Sequence, residues 1–128
     1  MFTLSASLGV KQMGGSVISL YRGNNKTIVL TLVKQDGTDY VVTGYTIIMY
    51  VKKNIDDENG DAIITLTGTI TGTNTVEFYF LPAHTTSAAA VANLKDDKPY
   101  PYDIEVTTDD LVPKTYTCLR SQFVIMGD

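Results

Sequence analysis

The chain has 128 residues, of which 44% are hydrophobic and 19% charged, with a formal net charge of -4. That length suits one domain around one core, burying roughly two-thirds of the surface the unfolded chain exposes, with no need of metals or disulfides. The composition excludes a disordered tail, and the acidic balance argues against a protein that grips nucleic acid through a basic face.

The first twenty residues are interrupted by Gly9, Lys11, Gln12, Gly14 and Gly15, and lack the basic start and long apolar block of a secretion signal. Residues 1–15 read as a flexible N-terminal arm or an added strand, ahead of a single β-sandwich domain over residues 16–128. No run in the chain is long and apolar enough for a membrane helix, so no membrane partner is expected. Residues 16–21 form a short candidate strand, Arg22-Gly23-Asn24-Asn25 a turn, and residues 26–33 a clearer strand with Ile28, Leu30 and Leu32 on one face. Gln35-Asp36-Gly37-Thr38 signals a hairpin, because glycine accepts the positive φ of tight turns, and residues 40–42 are its expected returning arm. Thr43-Gly44 then ends the edge.

Residues 45–53 are the most strand-like segment, with Ile47, Met49 and Val51 on one side and Ile48, Tyr50 and Lys52 on the other. Apolar residues on both sides predict a central strand. An acidic loop over 54–61 precedes a strand at 62–67, a turn at Gly72-Thr73-Asn74, and a strand at 76–81 whose Val76, Phe78 and Phe80 point inward. One short helix is predicted at about 85–94, with Pro82 in its approach, Thr85, Thr86 or Ser87 as its cap, and Ala88 to Leu94 as its body.

Tyr102, Ile104 and Val106 alternate with Asp103, Glu105 and Thr107, which predicts a strand with three apolar side chains on one face and a polar opposite face. A polar turn over 109–113 leads into two closing strands, roughly 114–119 and 122–126. The whole pattern predicts an all-β fold, an immunoglobulin-like antiparallel β-sandwich of about seven to nine strands.

Few residues offer chemistry. His84 is the only histidine, too little for a triad, and its turn-rich setting favours a capping or solvent-facing role. Asp56, Asp57, Glu58, Asn59 and Asp61 crowd oxygen donors into one loop. Setting Gly60 at the sixth position of a helix-loop-helix calcium site, however, puts Ile55 first and Leu66 twelfth, and neither carries a carboxylate. A solvated acidic turn is the better reading. Asp103 and Glu105 share a strand face at roughly 7 Å, a spacing that paired-carboxylate chemistry uses, but solvent faces need polar residues and no catalytic role is assigned.

Asn25-Lys26-Thr27 has the form of a glycosylation acceptor, which means little without a secretion signal. Gly14-Gly15 lacks the Gly-Lys-Ser/Thr element of a phosphate loop. Cys118 is the single cysteine, so it forms no intrachain disulfide and reads as a small core residue. The chain is thus expected to have no catalytic, metal or cofactor site and not to be an enzyme. The eight tyrosines are the surplus. Tyr40, Tyr50, Tyr79 and Tyr100 are candidate interface residues, because an amphipathic ring anchors a protein contact or stacks on a sugar.

The order of signals resembles the immunoglobulin-like β-sandwich of bacteriophage virion proteins, and is similar to the N-terminal domain of phage baseplate upper proteins. Arg22-Gly23 stands before the first strand, Asp36-Gly37 in the hairpin, and Thr43-Gly44 before the third strand. Residues 81–94 match a short helical insert, Tyr100-Pro101-Tyr102-Asp103-Ile104-Glu105-Val106 a Tyr-x-Tyr-Asp-Ile strand, and residues 115–125 a closing hairpin. Ser121 departs from that pattern, where the family places a glycine. The sequence also ends at Asp128, where baseplate upper proteins continue.

The resemblance implies a virion protein assembled in the host cytoplasm, a docking or decoration module of baseplate, tail or capsid. Other phage structural proteins and further copies of the chain are its expected partners, with no nucleic acid. The arm at residues 1–15 is then free to add a strand to a neighbour. A carbohydrate-binding or adhesion module is the alternative that the tyrosines suggest.

Overall fold

Alternating apolar side chains on strands too short to stand alone are satisfied when two sheets bury them against each other. The computed structural model describes residues 2–8, 13–14, 17–34 and 36–127. Among them the strands are β1 (Phe2–Leu8), β2 (Met13–Gly14), β3 (Ile18–Tyr21), β4 (Lys26–Lys34), β5 (Thr46–Val51), β6 (Ile64–Thr67), β7 (Thr69–Ile70), β8 (Thr75–Phe80), β9 (Pro99–Thr107) and β10 (Thr115–Met126). One sheet has the order β1-β4-β8-β7, and the other β2-β10-β9-β5-β6 with β3 also on β10. The fold is an all-β sandwich.

Most neighbours are antiparallel, but β1 runs parallel to β4, and β2 and β3 run parallel to β10. Phe2–Leu8 and Met13–Gly14, from the segment set apart as an arm or added strand, therefore lie in the chain's own sheets. Its other residues, Gly15 and the start of the strand expected at 16 among them, lie outside the described residues, as does Gln35 of the predicted hairpin.

Between the sheets, Ile28, Leu30 and Leu32 of β4 and Val76, Phe78 and Phe80 of β8 meet Ile47, Met49 and Val51 of β5, all buried. Tyr102, Ile104 and Val106 of β9 and Leu119, Phe123 and Ile125 of β10 complete the layer. Each such side chain contributes about 1.5–3 kcal/mol on burial. Phe80 and Phe123 stack across the two sheets, ring centroids 5.4 Å apart and planes 18° from parallel.

Gly68 carries the chain from β6 in one sheet to β7 in the other. Its N–H donates to Ile47 O at 2.7 Å, and a Cβ there would stand 2.4 Å from Val76 Cγ1. Only glycine lets the two sheets approach at this corner. The two-residue strand that follows is too short to show in the sequence pattern.

Three expectations are corrected. Residues 40–42 are not a returning strand: β8 takes that edge of β4 as far as Thr31, so the return is limited to the Val33–Asp39 bridge, with Lys34 N–H donating to Thr38 O and Tyr40 N–H to Leu32 O, before Val42 N–H turns to Thr73 O at 2.9 Å. The predicted helix is two, α1 (Pro82–Thr86) and α2 (Ala88–Asn93), broken at Ser87, whose extended ψ of 156° ends one helix while its Oγ accepts from Ala90 N–H and caps the next. The two closing strands are one, β10, paired with β9 from Thr115 to Val124 across one register shift, and there is no closing hairpin at 115–125.

The register of β10 shifts between Thr117 and Leu119, a bulge that leaves Cys118 and Leu119 buried in succession. Alternation changes phase there, which imitates a break in the sequence. Ser121 then sits in mid-strand opposite Tyr102, and their side chains hydrogen-bond. No turn occurs at Ser121, so no glycine is required there.

Candidate interaction surfaces

The turn after β3 holds the helices to the sandwich. Gly23 has a φ of +85° and donates its N–H to Thr85 Oγ1 at 2.8 Å, while the Arg22 guanidinium donates to Thr85 O at 2.6 Å, Leu94 O at 2.7 Å and Asp96 Oδ1 at 2.8 Å. One arginine thus takes carbonyls left without partners at the ends of both helices. His84 closes the other end of α1: its Nδ1 accepts from Leu81 N–H at 2.9 Å and its ring meets Phe80 edge-on. Burial lowers its pKa below the usual 6.5, keeping the acceptor nitrogen unprotonated. The histidine is a cap.

The face of β9 opposite the core departs from the polar solvent face that alternation predicts. Asp103 is buried, its Oδ2 3.3 Å from the equally buried Lys52 Nζ. Its register neighbours explain this: Tyr50 lies opposite on β5 and Arg120 opposite on β10, so large side chains flank a short carboxylate on both sides. Asp103 Oδ1 has no hydrogen-bond partner. Glu105, two residues on, is half-exposed, so burial separates the pair that spacing joined. Cys118 is buried, and burial pushes its thiol pKa up to about 12.

The four candidate tyrosines fall on different surfaces. Tyr40 packs edge-on against Tyr45, centroids 6.2 Å apart, beside the turn at 43–44. Burial first, then Tyr45, Tyr116 and Asp110, raise its pKa. Tyr50 is half-buried on the outer face of the β5 sheet, with Lys52 Nζ 5.8 Å from its ring centroid and its pKa raised by burial, Glu105 and Asp103. Tyr79 lies exposed on the other sheet, alternating with buried Phe78 and Phe80. Tyr100 is buried, its oxygen accepting from Lys95 N–H at 2.8 Å with Lys98 Nζ 5.5 Å from its ring. The structure does not bring these four together.

Sequence reading passed over the surface that does stand out, the tip of the β9–β10 hairpin. Leu111 is 102% exposed and Val112 73%, flanked by Asp109, Asp110 and Pro113. Thr108 fixes the loop's base: its N–H donates to Lys114 O at 2.9 Å, and its Oγ1 accepts from Lys114 N–H at 3.0 Å and donates to Asp110 Oδ2 at 3.0 Å. Asp109 lies against Gly44, where a Cβ would come within 2.5 Å of its Oδ2. Val41 and Tyr116, both about half exposed, flank the same end of the sandwich. Leu-Val between Asp109-Asp110 and Pro113-Lys114 looks like an ordinary turn in sequence, and it stands out only because no segment among the described residues covers it.

At the other end of β9 is an open cleft of about 560 Å³. Pro99, Tyr100 and Pro101 line it together with Ile55, and the charged residues Lys53, Arg120 and Asp56 also border it. The acidic loop at 54–61 is exposed apart from half-buried Asp57, and Asp57 Oδ2 accepts from Asn54 N–H at 3.0 Å, a loop held by its own turn. Among the described residues, no three of His, Cys, Asp or Glu converge as a metal site would need.

No protein-family model matches the chain, and no curated protein sequence does. Solved structures match by fold. The N-terminal domain of phage TP901-1 ORF48 is similar with a TM-score of 0.62 over 98% of both chains, at 8% sequence identity. The fold is thus shared end to end with a phage domain, on an almost wholly different sequence.

Proposed function

We infer that this chain is a non-enzymatic structural protein of a bacteriophage particle, a docking or decoration module of the baseplate, tail or capsid that works through protein–protein contacts. The observation that carries this reading is the end-to-end likeness to a phage domain, covering 98% of each chain. A shared fold does not by itself transfer a role. Two further features support it: the sequence resemblance to baseplate upper proteins in the Arg22-Gly23 and Tyr100–Val106 segments, and an apolar hairpin tip left uncovered. Its partners are other phage structural proteins and copies of itself, and its place is the virion, after assembly in the host cytoplasm.

A carbohydrate-binding module needs aromatic rings gathered on one platform. The four candidate tyrosines lie on separate surfaces, which favours the structural reading.

Mass spectrometry of gradient-purified particles from the phage that encodes the chain tests the proposal. Peptides of the chain are expected in constant ratio to the other structural proteins across the particle peak. Peptides confined to the soluble fraction of the lysate would refute it.

A further inference from the structure

We propose that copies of this chain associate head to tail, the Leu111-Val112 hairpin tip of one entering the cleft between Ile55 and the Pro99–Pro101 segment of the next. The inference rests on the assembly reading above and specifies the contact. Three observations carry it. Leu111 and Val112 are presented by a loop fastened at Thr108 and against Gly44, so apolar surface is held outward at little further entropic cost on binding. The cleft offers apolar lining of matching character in Pro99, Pro101 and Ile55, beside the polar Asn54, Ser121 and Gln122. The charges are complementary: Asp109 and Asp110 outnumber Lys114 at the tip, whereas Lys53 and Arg120 outnumber Asp56 at the cleft.

Tip and cleft lie at opposite ends of β9, which spans nine residues and hence about 25–30 Å. A chain therefore cannot fill its own cleft. A contact between two different patches is heterologous and leaves a free tip and a free cleft on every pair, so it propagates into a ring or a filament. Such an interface is smaller than those of stable dimers, so the free protein associates weakly and gains strength where many copies are held together.

Sedimentation velocity of the purified full chain over a concentration series tests this. The weight-average sedimentation coefficient is expected to rise with concentration. A double variant, Leu111→Asp with Val112→Asp, and separately Lys53→Glu in the cleft lining, should each weaken association by about tenfold or more without moving the melting temperature, since all three side chains are exposed. A mixture of the tip variant and the cleft variant should form one-to-one dimers and nothing larger, because a single competent tip–cleft contact remains. A monomer throughout the series, an assembly that neither variant weakens, or a mixture that fails to dimerise would each overturn the proposal. The particle-composition experiment is independent: a chain found in virions yet monomeric alone refutes this contact and leaves the structural role standing.

Discussion

Asp103 shows how much a single side chain departs from what alternation implies. The period of two places it on the polar face, and it is on that face; burial arises because Tyr50 and Arg120 flank it and Lys52 reaches across. Strand neighbours are fixed by long-range pairing, so a one-dimensional pattern cannot reveal which polar residue is shielded. The energetics follow from the missing partner at Oδ1 and the long 3.3 Å contact at Oδ2. A buried ion pair adds little net stability, but losing one member leaves an uncompensated charge. Asp103→Ala is therefore expected to cost about 3 kcal/mol in urea unfolding, whereas Lys52→Met combined with Asp103→Leu should be about as stable as the parent. Equal losses in the single and double variants would contradict this account. Cys118 and Ser121 carry the same lesson, since a bulge and a cross-strand tyrosine give them their settings.

Elements were legible where period and turn chemistry agreed. The strand centres of β4, β5, β8 and β9 and the turns at Gly23, Gly37 and Gly44 all appear where the residues place them, each of these glycines having positive φ. Boundaries failed where tertiary structure decided them: β10 continues through a phase change, β8 leaves only the last residues of β4 for the returning chain, and Ser87 splits a helix that composition runs together. The short helices depend on outside support, because neither has enough turns to be stable alone. Arg22 provides it. Arg22→Ala removes two charge-assisted bonds to the carbonyls of Thr85 and Leu94, an expected loss of about 2 kcal/mol, with the exposed Asp96 pair adding little. Hydrogen exchange should speed at Val91 and Leu94 N–H and stay unchanged in β5 and β9. Uniform acceleration over both sheets would show that the clamp supports the whole fold rather than the insert.

At the scale of the molecule, the class was legible because two sheets require the alternation that runs through most of the chain. The proposed contact surface was not, since Leu111 and Val112 belong to the loop between two strands and become a surface feature only once Thr108 and Gly44 fix that loop with no described segment above it. Tyrosines drew attention in sequence because they are numerous. Their distribution over two sheets and two ends disperses them. What remains is a rigid sandwich with an acidic, apolar tip at one end and a more basic, apolar cleft at the other, a geometry suited to repeated placement in a larger assembly.

If the proposed structural role holds, cryo-electron microscopy of intact phage particles carrying the gene for this chain tests that account most directly. The account predicts density for a two-sheet domain at symmetry-related positions, with each β9–β10 hairpin in contact with a neighbouring protein. Particles complete and fully interpreted without such a domain would contradict it.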